Sequence, residues 1–106
     1  MANDEPISTR MIAKQQFYLI IDTPRGFEAL IAAGELPSAG TYTRSSGRYE
    51  TASATYQLAG SLNRILGCDK HRTIVLVHKS RNPFSAKDMR HVMTAFRTVR
   101  FYGEAA

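Results

Sequence analysis

A single cysteine, no tryptophan, four prolines and no long apolar run set the first limits on this 106-residue chain. Cys68 has no internal partner, so no disulfide staples the fold and a reducing, cytoplasmic-type compartment is expected. No stretch approaches the roughly 20 apolar residues of a membrane helix, so no membrane partner is expected. The start, MANDEPISTRMIAK, lacks the charged lead and apolar core of a signal peptide. Also missing are a G-x-S-x-G elbow, a phosphate loop and a dinucleotide fingerprint, each a backbone device that its chemistry needs. The soft ligands are Cys68, His71, His78 and His91, and Cys-x-x-His without a second pair does not make a zinc site. No metal and no cofactor are expected.

Charge is abundant but uneven. Residues 1–63 hold five basic and six acidic side chains, whereas residues 64–106 hold nine basic and three acidic. The net charge of +5 therefore comes from the last 43 residues, and arginine outnumbers lysine ten to four. The planar guanidinium pairs with phosphate or carboxylate through two hydrogen bonds, so an anionic partner is expected.

Length and a 43% hydrophobic content suit one domain with one core. Residues 1–14 are polar without a period and read as a flexible segment ahead of a single α+β domain at 15–106. The run QFYLII at 16–21 reads as a buried strand, because a half-solvated strand would alternate. Asp22 or Thr23 caps a helix at 25–33, Pro24 fits its first turn, and Gly34 closes it. TYTRSSGRYET reads as a hairpin with strands at 41–44 and 48–51.

Residues 52–66 carry a helical stripe of Leu58, Ala59, Leu62, Ile65 and Leu66, which predicts a second helix ending at Gly67. TIVLV at 73–77 predicts another buried strand. Ser85 then opens a third helix with Met89, Val92, Met93, Phe96 and Val99 on one side and Lys87, Arg90, Thr94 and Arg97 on the other. The resulting β-α-β-β-α-β order with an extra C-terminal helix is the ferredoxin-like arrangement. It implies a four-stranded antiparallel sheet, two helices on one face and the last helix on the other. RNA-recognition domains share that order, but GRYET has no aromatic two or four residues beyond Tyr49, so membership is not assigned.

Two basic features remain as candidate binding sites. One is the hairpin with Tyr42, Arg44, Arg48 and Tyr49; the other is Lys87, Arg90 and Arg97 with Lys79 and Arg81 ahead of them. Arginines interleaved with tyrosines suit nucleic acid and acidic protein surfaces alike. The leading expectation is a non-catalytic accessory protein that binds DNA or RNA through phosphates. An inhibitor or adaptor binding an acidic protein comes next, with homodimerisation through the hairpin edges. A metal-dependent nuclease using Asp22 is third, since such cleavage needs two or more convergent carboxylates and no partner for Asp22 is evident in the sequence. Small size, basic charge and scarcity of motifs point to a phage or plasmid as the source.

Overall fold

The computed structural model describes residues 16–37, 39–64 and 67–104. Its elements are β1 (Gln16–Ile21), α1 (Pro24–Ala32), β2 (Thr41–Thr43), β3 (Arg48–Glu50), β4 (Ala54–Leu58), a 3-10 turn (Leu62–Arg64), β5 (Thr73–His78), α2 (Ala86–Ala95) and β6 (Thr98–Tyr102). The six strands form one mixed sheet in the order β2-β3-β4-β1-β5-β6. The ferredoxin-like expectation is therefore wrong in strand number, order and direction. The flexible segment expected at 1–14 lies outside the described residues.

β1 is the centre. It pairs in parallel with β4 on one side and β5 on the other, with Tyr18 opposite Tyr56 and Ile74. A strand flanked on both edges and covered on both faces has no polar side, which is why QFYLII does not alternate. Phe17, Leu19 and Ile21 pack with Val75, Val77, Val92 and Phe96 on the α2 face. Tyr18 and Ile20 pack with Phe27, Leu30, Tyr49 and Tyr56 on the α1 face. The two helices thus lie on opposite faces.

Two expectations along the chain fail for local reasons. The helix expected at 52–66 is replaced by β4 and the 3-10 turn, with Ile65 and Leu66 outside the described residues. Ala-Thr-Tyr-Gln-Leu joins β-branched and aromatic residues, and Gly60 follows two residues after Leu58 as a breaker. As a strand, this segment bonds to β1 and β3 at once, a gain that the helical stripe could not match. The last helix also stops early. Phe96 caps it in an extended conformation (φ −96°, ψ 138°), and Thr-Val-Arg-Phe-Tyr continues as β6 beside β5. Val99 therefore packs from a strand, not from a helix.

The hairpin is fastened from below. Tyr49 is buried; its hydroxyl donates to the Pro37 carbonyl at 2.6 Å and accepts from the Gly40 amide at 3.2 Å. A Cβ on Gly40 would collide with the Tyr49 ring, so glycine is what allows this closeness. Buried Gln57 donates from Nε2 to the Ser46 carbonyl at 2.8 Å, fixing the turn.

The chain leaves β1 through α1 for the far edge at β2, comes back inward through β3 to β4, crosses to the other side of β1 as β5, and moves outward to β6 through α2. The reversal falls between β1 and β5. In open α/β sheets, ligands sit beyond the carboxyl ends of the strands at that point. Leu19 is fully buried where both ladders meet. Leu19→Ala is expected to cost about 2–5 kcal/mol in urea unfolding, with an unchanged slope against urea. A loss below about 1 kcal/mol would place Leu19 outside the core.

Candidate nucleic-acid interface and the Asp22 cluster

α2 begins where the Ser85 hydroxyl accepts the Asp88 amide at 3.1 Å. Val92 is buried against the sheet and Met89 packs beside it, so helical spacing turns Lys87, Arg90, His91 and Thr94 outward. Lys79 follows β5 and Arg97 follows α2, and both are exposed. The ten-residue helix that carries Lys87 and Arg90 is about 15 Å long. Lys79, Lys87, Arg90 and Arg97 have no acidic partner among the described residues.

The hairpin residues are placed differently. Arg44 Nε lies 3.2 Å from Glu28 Oε2, which also accepts the Tyr42 hydroxyl at 2.8 Å. Burial and then the Glu28 bond push the Tyr42 phenol up from its usual range. Arg48 Nε donates to Gln57 Oε1 at 3.0 Å, and Nη1 lies 4.0 Å from Glu50. Tyr49 points into the core. The hairpin is at one edge of the sheet, while α2 packs over β1 and β5, so the structure does not join the two basic features into one surface.

Arg81 belongs to neither. Its Nε and Nη2 donate to the two oxygens of Asp22 at 2.8 and 2.9 Å. Tyr102 adds its hydroxyl to Asp22 Oδ2 at 2.7 Å, and the Thr23 amide donates to Oδ1 at 2.6 Å. Asp22 has no exposed surface. Burial pushes its carboxyl up, but the bonds from Arg81, Tyr102 and the Thr23 amide outweigh burial and leave it below the usual carboxylate range. Burial and then the Asp22 bond push the Tyr102 phenol well up. A Cβ on Gly26 would strike both the Asp22 carboxylate and the Arg81 guanidinium, so glycine opens α1 to this pair. The helix cap is Thr23, whose hydroxyl accepts the Gly26 amide at 3.1 Å.

Beside this pair stands His78, buried at the end of β5. Its Nδ1 accepts the backbone amides of Ser80 and Arg81 at 3.1 and 3.0 Å. The strand stops at His78, which brings Ser80 Oγ to 3.3 Å from the same nitrogen. With two amides already aimed at it, Nδ1 has no lone pair left to serve as a base toward Ser80. No group of three His, Cys, Asp or Glu side chains placed to hold a metal occurs among the described residues. No helix among them is long and apolar enough to cross a membrane.

Sequence reading missed the Asp22–Arg81–Tyr102 cluster, whose members are 59 and 80 residues apart. Only the topology, which sets β1, β5 and β6 side by side, brings them together. Compared with family models, with curated proteins and with solved structures, the chain matches none.

Removing Arg81 leaves a buried carboxylate with one strong donor fewer. Because the guanidinium side chain is 39% exposed, Arg81→Met is expected to cost about 2–3 kcal/mol at pH 7, below the figure for a fully buried pair. Asp22 ionises more readily folded than unfolded, so its stabilising contribution is complete above about pH 4 and fades as pH falls through the lowered native value. Urea midpoints of the wild type and Asp22→Asn should accordingly keep their separation from pH 7 down to about pH 4 and draw together below it. A constant gap would contradict a carboxylate stabilised in this way.

Proposed function

We propose that this protein is a non-catalytic nucleic-acid-binding accessory protein that contacts phosphates through the outer face of α2. The observation that carries this reading is the set Lys79, Lys87, Arg90 and Arg97, all exposed and none neutralised by a described acidic group. Lys87 and Arg90 are held on one rigid helix, with Lys79 in the loop after β5 and Arg97 just past the helix end, and the counterions released when such cations meet phosphates supply the driving force. Hairpin residues Arg44 and Arg48 take a supporting part, since Glu28, Glu50 and Gln57 already engage them. Tyr42 and Tyr49 serve the hairpin's packing and contribute no stacking platform. Arg81 is committed to Asp22 and lies outside the contact. Because protein donors meet both Asp22 oxygens, binding is favoured over cleavage at that carboxylate.

Anisotropy titrations with a 20-base-pair duplex and a 20-mer single strand, each across 50–200 mM salt, test the reading. Four phosphate contacts predict a slope of about −3 to −4 in log K against log salt for duplex DNA. Lys87→Glu/Arg90→Glu should weaken binding at least about tenfold and flatten that slope by about two. Arg44→Glu should change affinity by less than about threefold. Salt-insensitive binding, or binding that survives the α2 double variant, would overturn the proposal. Absence of binding to either nucleic acid would do the same and leave an acidic protein surface as the partner class.

A further inference from the structure

We infer a binding groove for a small zwitterion, an amino-acid-like molecule, between α1 and the carboxyl ends of β5 and β6. The groove has a volume of about 500 Å³, within the roughly 300–1,000 Å³ usual for small-molecule sites. It lies beside the topological reversal between β1 and β5, on the face where α1 covers β1 and β4 but leaves the ends of β5 and β6 open.

The inner end asks for an acceptor. Because Nδ1 of His78 accepts two backbone amides, the proton of the neutral ring sits on Nε2. His78 is 5% exposed and lines the groove, yet its Nε2–H meets no acceptor among the described residues. A buried donor left unmatched costs about 1–3 kcal/mol and calls for an explanation. The Gly103 backbone lies so close to the ring that a Cβ there would collide with Nε2, and the φ of +76° also favours glycine. Arg81 lines the same groove, and Asp22 takes its Nε and Nη2 but not its Nη1. These donors suit a carboxylate.

The outer end asks for a cation. Glu35 and Glu104 also line the groove, both are exposed, and neither has a basic partner among the described residues. A plain anion would meet their repulsion and a plain cation would leave Nε2–H unmatched. A molecule carrying both charges answers both ends. Ala29 and Leu30 of α1 and Ala33 at its end make one wall apolar, which favours a molecule that also carries an aliphatic side chain.

The test follows the His78 Nε2–H signal by ¹⁵N NMR while L-leucine, acetate or ethylammonium is added to the full chain. Saturable shifts are expected with L-leucine, at least about tenfold tighter than with either single-charge probe. Ala29→Phe, at an exposed helical position, should abolish the response with the fold retained, and Glu35→Gln should weaken it severalfold. Equal affinity for acetate would reduce the site to an anion pocket and overturn the inference. Silence with all three probes, or an unchanged response in Ala29→Phe, would overturn it as well.

Discussion

A fully buried carboxylate at the end of the central strand constrains everything around it. Asp22 has no water to solvate it, so protein donors must meet its charge, and these come from the loop after β5, the end of β6 and the start of α1. Each donor fixes an element. Arg81 sets the course of the loop leaving β5, Tyr102 sets how far β6 extends, and the Thr23 amide sets the start of α1, which Gly26 lets come close. The loop geometry in turn aims two amides at His78. An aliphatic residue at position 22 would satisfy packing, but it would hold none of these three elements in register.

The sequence revealed strands with no polar side and helices bounded by strong caps. β1 and β5 are legible because burial on both faces leaves an unbroken apolar run, and α1 is legible from Thr23, Pro24 and Gly34. β4 was hidden because its apolar residues continue into Leu62 at helical spacing, and only pairing with two neighbours decides between the alternatives. β6 was hidden because Phe96 and Val99 extend the stripe of α2, although the chain turns extended at Phe96. Once those two strands are restored, the order of elements changes from a split hairpin fold to parallel strands joined by crossovers.

The candidate residues divide in a similar way. Helical spacing alone placed Lys87 and Arg90 on the side away from the core, since a helix exposes one side whatever it packs against, whereas Arg97 is exposed from the link between α2 and β6. Tyr49 and Arg81 could not be placed so. The partners of Tyr49 are the backbone of Pro37 and Gly40, and the partner of Arg81 is a carboxylate 59 residues earlier. Polar side chains that serve the interior look identical, in a sequence, to those that serve the surface. Positive charge in the final third is thus divided between an outward row and an inward fastening.

The parallel ladders of β1 have a consequence for how the chain reaches this state. Phe17 pairs with Thr55 and Thr73, 38 and 56 residues later, and no tight turn can close either ladder. Contacts this remote in sequence delay the folding transition, because loop closure precedes any gain from pairing. On the ribosome, β1 emerges with both edges open and waits for the later segments that form β4 and β5. During that interval QFYLII is the segment most in need of protection from association with its own kind.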